Sequence, residues 1–460
     1  MKFKNISLFS IFLTTVACTN LNNSYEQVNK NFQIYERISK EYSVEKEWWE
    51  EYNNKELNNI IKLALNNNID LKKAAININK ALYQANLLGA DLIPSFSANA
   101  LSSASKNIKT GENSNISHSA KLSVSYEIDL WRKLSNVKSA KEWEYKATIE
   151  DMEATKLSLV NNVVDAYFNI VYLNNVINIT EEKIENYKEI NTIIENKYNY
   201  GSSNIMEKMQ SEQYLVKLEN SYLSYKNEKT VQEQKLRDFL NLKPDENIEI
   251  KLNNIYSLKT LGVNLDIPVS VIANRPDVRA SEHRLISALK NAKASQSNFY
   301  PSITLSSSLS SSGDKINNAL NVPIAFGSIG INLPFLDWNR IKWNVKIDEA
   351  SYEIAKLNFE KTVVSSLNEI NTYYNSYIQA KLNYQSQEKD YNYQKNIQEH
   401  YKNRYENGVS EFKIWLESVN NEKDSEINLI KKKLELIQSE NKVYQAMGGK
   451  ISHSKNLKLD

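Results

Sequence analysis

RPDVRASEHRLISALKNAKASQSNFYPSITLSSSLSS, residues Arg275–Ser311, decides how this chain is built. A helix-like run passes through Pro301 into an alternating strand, because proline has no amide to donate and pushes the residue before it toward extended geometry. The same pattern stands at Asn68–Ala104. A constant shift of 207 (277 against 70, 301 against 94) pairs Asp277 with Asp70, Val278 with Leu71, Arg279 with Lys72 and Pro301 with Pro94. Continued without a gap, it pairs Trp131 with Trp338, Tyr167 with Tyr374, Tyr198 with Tyr405 and Gly201 with Gly408. One unit has been used twice, and so long a period indicates a duplicated half rather than a solenoid.

With 10 Gly and 7 Pro in 460 residues, the chain has few breaks and therefore few, long elements. Its 57 basic and 55 acidic residues nearly cancel and are interspersed, which reads as solvated helix faces and gives no electrostatic case for nucleic acid. After the N-terminus no run of about 18 apolar residues occurs, so a spanning helix is excluded. A bilayer could be crossed only by strands.

Lys2 and Lys4, the apolar run Ile6–Ala17 and the single cysteine Cys18 read as a signal peptide over 1–17. The stretch resembles a bacterial lipoprotein box, with Ala17 and Cys18 as expected and Thr15 where Leu or Val is usual. That resemblance implies lipidation of Cys18 and an outer-membrane anchor made of two or three acyl chains. The other reading is ordinary secretion with Cys18 removed. Residues 18–52 then form an N-terminal extension carrying Trp48 and Trp49.

Helical spacing runs over Lys55–Asp91, through Leu57, Ile60, Ile61, Ala64 and Leu65 and on through Leu71, Ala74, Ala75 and Ile78 to the stop at Pro94. Phe96, Ala98 and Ala100 then alternate with polar residues as a strand, 105–118 reads as a loop, and Leu122, Val124, Tyr126, Ile128 and Leu130 alternate with Ser123, Ser125, Glu127 and Asp129. Shifted by 207, Phe96 and Ala98 become Ile303 and Leu305, and the second set becomes Ile329, Ile331, Leu333, Phe335 and Asp337, with a loop at 311–323. Each half thus offers two strands of a length that crosses a bilayer at a tilt. Trp131 and Trp338 close the stronger strands, where an indole suits a membrane interface.

No Gly or Pro interrupts Arg132–Tyr200 or Asn339–Asn407, which predicts helices about 100 Å long. Leu157, Val160, Val164, Tyr167 and Val171 give them a narrow coiled-coil stripe. Gly201 and Gly408 break the helices into hairpins, with Ser203 or Ser410 as possible caps, and return helices follow over Asn204–Leu240 and Glu411–Met447. The domain reading is a first repeat at 53–241, an irregular joint at 242–268, a second repeat at 269–449 and a tail at 450–460.

Four bilayer-length strands cannot close a barrel, and an open edge in lipid costs several kcal/mol for each unpaired group. Two copies would give eight strands, filled by their own side chains, and three would give twelve, so a conduit needs at least the larger number.

With these pieces in place, the chain resembles the TolC-like outer membrane factors of the lipoprotein efflux type. The resemblance is carried by Trp48-Trp49, Tyr126-Glu-Ile-Asp-Leu-Trp131, Arg275-Pro-Asp-Val-Arg279 with Glu282, Phe299-Tyr-Pro-Ser302, Leu333-Pro-Phe-Leu-Asp337 and the two tip glycines, and it covers nearly the whole mature chain. It implies a mixed α and transmembrane β fold, in which a coiled-coil helical barrel continues an outer-membrane β-barrel of four strands per chain, closed as a homotrimer. It also implies a passive exit duct of a tripartite efflux or type I secretion system, lipid-anchored in the outer membrane and reaching into the periplasm. The duct would serve an inner-membrane transporter and would meet a periplasmic adaptor at its hairpin tips.

No HExxH, CxxC or Gly-rich phosphate loop is present and the four His are scattered, so no enzyme, cofactor or metal site is expected. By resemblance the periplasmic gate involves Tyr405, Glu207 and Glu417 beside Gly201 and Gly408. Ile414 holds another acidic position, and Ser410 stands where some members have Arg. Glu127 and Asp129 are expected to line the barrel lumen and favour cations. Pro276 and Asp277 suit the first turn of a helix, so Arg275–Arg279 reads as a helix start rather than transport chemistry. The competing function is a lipid-anchored coiled-coil scaffold or adhesin whose strands form a soluble sheet.

Overall fold

The computed structural model describes residues 15–106, 108–109, 115–246, 250, 255–317 and 323–453. Most of the predicted signal segment, residues 1–14, lies outside them, as does the side chain of Cys18. The fold mixes α and β. Helix α1 (Thr15–Ser39) is followed by β1 (Tyr42–Glu45), a 3-10 turn at Trp48–Tyr52, α2 (Lys55–Asn67), α3 (Ile69–Gly89), β2 (Ser95–Ser105), β3 (Asn115–Ile128), α4 (Lys133–Asn199) and α5 (Ile205–Leu240). The second half runs α6 (Pro276–Ser297), β4 (Ser302–Gly313), β5 (Ile324–Asn332), α7 (Trp338–Glu406), α8 (Phe412–Met447) and β6 (Lys450–His453). Helices α5 and α8 differ by 207 at both ends (412 against 205, 447 against 240).

Two compact units divide the chain, and each draws on both copies of the repeat. One comprises residues 1–34, 74–151 and 277–362; the other comprises 35–73, 152–276 and 363–460.

The first unit holds an antiparallel sheet in the order β2-β3-β4-β5. Its register places Ser95, Ser125, Ser306 and Ser328 in one row across all four strands, with Ser97, Ser123 and Ser308 in the next row on that face. The opposite face carries Phe96 and Val124, then Ala98, Leu122, Leu309 and Ala325, with Tyr126, Leu305 and Ile329 nearer the helices. Period-two alternation thus gives one hydroxyl face and one apolar face. Leu101, Ile324 and Phe326 interrupt the hydroxyl face near the loop end.

In the second unit Trp48, Tyr52, Leu57 and Ile61 pack on Val163, Tyr167, Phe168 and Val171 of α4, on Leu236 and Leu240 of α5 and on Ile430 and Ile437 of α8. A neighbouring cluster joins Ile267, Val271 and Ile272 to Ile370, Tyr374, Val443 and Met447. Strand β1 pairs with β6. The approach is so close that a Cβ on Gly449 (φ 148°) would lie 2.6 Å from the Glu45 carbonyl oxygen.

Several expectations change. The single helix over Lys55–Asp91 is two, because the Asn68 side chain accepts from the amides of Asp70 and Leu71 and so caps a fresh helix. The 18–52 extension contains most of α1 and all of β1, and β6 occupies the start of the 450–460 tail. The predicted loop 105–118 is shorter, since Ser105 and Asn115 through His118 are paired strand residues; likewise β4 runs past 311 to Gly313. Strand β5 stops at Asn332, and Pro334–Asp337, with Phe335, is a 3-10 turn that proline starts readily at its first position.

Positions 68 and 275 are repeat mates, and both tether the end of a return helix. Asn68 Nδ2 donates to Phe239 O at 3.0 Å, and Arg275 Nη1 donates to Ala446 O. Arg275 is buried, and its other arm reaches Glu369 at 2.7 Å. It serves packing as well as starting α6.

Candidate functional site

Lacking Gly and Pro, α4 and α7 continue until Gly201 and Gly408, which take φ of 73° and 71°. Side chains with a Cβ disfavour that region, so glycine marks each turn. In the first tip the amides of Ser202 and Ser203 return to Lys197 O at 2.7 and 3.1 Å; in the second, Val409 and Ser410 return to Arg404 O at 2.8 and 3.2 Å. The return helices are not capped by Ser203 and Ser410. Asn204 caps α5 by accepting from the Glu207 amide at 2.9 Å, and Glu411 precedes α8 without a side-chain cap. Ser203 Oγ instead donates to Glu207 Oε2 at 2.6 Å.

Two ion pairs of opposite sense join the hairpins. Lys413 of α8 binds Glu207 of α5, and Lys197 of α4 donates to Glu411 at 2.5 Å. Lys413 Nζ also lies 4.0 Å from Glu417, so one ammonium collects both predicted gate carboxylates. Within the first hairpin Lys208 pairs with Glu195 at 2.9 Å. The Lys413 ammonium, and then the Ser203 hydroxyl, hold the Glu207 carboxyl below its ordinary range; Lys197 does the same for Glu411.

Tyr405 does not join the carboxylates. Its ring stacks on Trp415 (5.3 Å, 17°) and tilts against Phe412 (5.1 Å), while Phe412 meets Trp415 edge-on. Tyr200, Met206 and Val409 stand exposed around the tips.

Lys413 and Lys197 escaped the sequence reading. A signal existed for Lys413: a cation in the first turn of a helix opposes the helix dipole, so it calls for an anionic partner.

In the sheet, Glu127 lies on the hydroxyl face opposite Thr304. Asp129, expected beside it, lies past the end of β3, where its carboxylate accepts from the amides of Leu134 (3.0 Å) and Ser135 (2.8 Å) at the start of α4. Trp131 donates to Pro301 O at 2.8 Å and stacks on Tyr300 at 4.7 Å. Trp338 opens α7 rather than ending β5 and is exposed, with the Lys342 ammonium 5.7 Å from its ring. Among the described residues no group of His, Cys, Asp or Glu is placed to hold a metal ion, and no helix is long and apolar enough to cross a membrane.

The family model described as "outer membrane efflux protein" matches the chain twice, over residues 60–242 and 267–449. The chain belongs to that family. Toxin and drug export protein A of Aggregatibacter actinomycetemcomitans is 46% identical to this efflux protein, over 98% of this chain and 99% of the relative. A probable outer membrane lipoprotein of Salmonella typhimurium, SilC, is 27% identical over 68% of each chain. The solved outer membrane channel CmeC of Campylobacter jejuni superposes with a TM-score of 0.77 at 26% identity, covering 90% of both chains. The efflux protein acts in the outer membrane as the exit channel of an efflux system.

Proposed function

We propose that three copies of this chain close a twelve-stranded barrel through the outer membrane, continued by a helical tunnel into the periplasm. The observation that carries this is the sheet: four strands of 9 to 14 residues, apolar on one face and hydroxyl-rich on the other, with β2 and β5 each paired on one side only among the described residues. Lipid accepts no unpaired backbone edge, so the edges must pair with other copies. Three copies are the smallest number that leaves an open bore. The two repeats at 53–241 and 269–449 supply equivalent strand pairs and hairpins, and the joint at 242–268 links them. Trp131 and Trp338 sit at the helix end of the strands, where an interfacial aromatic is favoured. Cys18 carries the acyl anchor; the relative named as a lipoprotein supports this.

An inner-membrane transporter and its periplasmic adaptor deliver cargo at the hairpin tips, where Tyr200, Met206 and Val409 offer apolar contact. The relative named for toxin and drug export supports a cargo range that takes in toxins and drugs. Gly201 and Gly408 shape the tips. Glu207 and Glu417, gathered by Lys413, form the polar lock of the gate, while Tyr405 is held by ring stacking in its own hairpin.

Planar-bilayer recording on the detergent-purified protein tests both levels. The duct predicts a small conductance from a cross-linkable trimer, raised several-fold by Lys413→Ala or by Glu207→Gln with Glu417→Gln. A protein that stays soluble without detergent and conducts nothing is the scaffold or adhesin instead. An unchanged conductance in the variants removes the carboxylates from the gate and leaves the duct intact.

A further inference from the structure

We propose that the barrel lumen carries two opposed belts of charge, an acidic one from Glu127 at the helix end and a basic one from Lys121 nearer the loops, and that together they set which charged groups pass. This rests on reading the sheet as one third of a closed barrel.

The four strands contain no Asp, Glu, Lys or Arg except these two. Both lie on β3, six residues apart, so both project to the same side, and it is the side with the serine rows. Lys121 stands opposite Asn99 on β2 and Ser310 on β4, with Ser119 and Ser123 two positions away along its own strand. Glu127 stands opposite Thr304. Neither has an ion-pair partner among the described residues.

Six residues of strand span ~20 Å. The Debye length at physiological salt is about 8 Å, so the belts do not cancel each other, and a passing group feels one and then the other. In a trimer each belt is three like charges around a water-filled ring lined by hydroxyls. Carboxylates, sulfates and phosphates of a cargo are received at the Lys121 belt, with the Asn99 amide and serine hydroxyls as further donors. Ammonium and guanidinium groups are received at the Glu127 belt. Such a wall admits zwitterionic and polypeptide cargo of either net sign, whereas a carboxylate ring alone would favour cations.

The test uses cysteine reporters in the full-length protein in outer-membrane vesicles, with the unsubstituted protein as the baseline for its single native cysteine. Ser119→Cys reports on the Lys121 belt and Ser125→Cys on the Glu127 belt. Each is modified with a sulfonate-bearing and a trimethylammonium-bearing methanethiosulfonate, with rates normalised to a free thiol. Potentials near such clusters reach several kT, so the anionic-to-cationic rate ratio should be ~10-fold or more higher at 119 than at 125. Lys121→Gln should collapse the ratio at 119 and leave that at 125 unmoved. Equal ratios at two reactive positions overturn the belts while the barrel stands. If neither position reacts and Ala325→Cys on the opposite face does, the hydroxyl face is not a water-filled lumen, and the barrel reading falls with the belts.

Discussion

Helices α5 and α8 are the same element used twice, yet α5 buries four residues and α8 buries seventeen. Position by position the contrast is sharper. Leu223 is 61% exposed and its repeat mate Ile430 is 0% exposed; Met209 is 58% exposed and Leu416 5%. All four buried positions of α5 have buried mates in α8, Ser211 with Ser418, Leu218 with Ser425, Leu236 with Val443 and Leu240 with Met447, so the divergence lies in the further positions that α8 alone buries. Duplication fixed the length and the C-terminal cap, with Asn241 (φ 54°) and Gly448 (φ 79°) ending the two helices in the left-handed region. The surroundings then diverged, and α8 became an inner helix of its unit.

The largest effect expected from this contrast is at the 223/430 pair. Ile430→Ala should cost ~2–5 kcal/mol, because it removes buried methyl groups and leaves a cavity among Ile437, Tyr167 and their neighbours. Leu223→Ala should shift the stability of the chain by no more than ~0.5 kcal/mol, as an exposed truncation does. Thermal unfolding of the two variants in detergent measures both, and equal losses would mean that α5 is as buried in the assembled protein as α8 is within its unit.

The second pair is Glu233 and Glu440. Glu440 is fully buried and accepts from the amides of Leu261 (3.1 Å) and Gly262 (3.0 Å), clamping the joint between the repeats to α8. Burial pushes its carboxyl from an ordinary 4.5 up to about 7, against the opposing pull of those two amides and of Lys433 and Lys450. Nearby, burial likewise raises Asp165 to about 6. Both acids bind a proton more tightly folded than unfolded. Their contribution is therefore complete below the unfolded value and is lost as pH rises through about 6 and about 7. For Glu440 that window is worth up to ~3 kcal/mol. The melting temperature should fall from pH 5 to pH 8, and Glu440→Gln should flatten the upper part of that fall and leave the portion near pH 6. An unchanged slope in the variant would place the titration elsewhere.

What the sequence made legible follows from which interactions are local. Long helices show as missing Gly and Pro, strands as alternation after Pro94 and Pro301, and tips as Gly201 and Gly408. The break at Asn68 was hidden because the cap uses a side chain within an unbroken apolar period. Strands β1 and β6 were hidden because each is four residues long and they pair across most of the chain, with Val44 opposite Ile451. The ion-pair cluster at the tips is half visible: the carboxylates can be named from the family pattern, but Lys413 reaches Glu207 across 206 positions, and no spacing rule reports that. The helix-start role of Asp129 is not legible in the pattern, because alternation continues two residues beyond the strand, while the carboxylate is already engaged at the start of α4.

The smallest expected effect is the mate of the second. Glu233 sits on α5 with its side chain 28% exposed, 3.7 Å from Lys229 one helical turn earlier. Such a pair contributes ~0.2–0.5 kcal/mol, and salt reduces it. Glu233→Gln should therefore change the melting temperature by less than the scatter between preparations and leave the slope from pH 5 to pH 8 as it is. The substitution matches Glu440→Gln in residue type, in helix and in repeat position, so only the surroundings differ. If Glu233→Gln flattened the pH slope as well, α5 would be packed against another surface in the assembled protein, and the contrast with α8 would belong to the single chain alone.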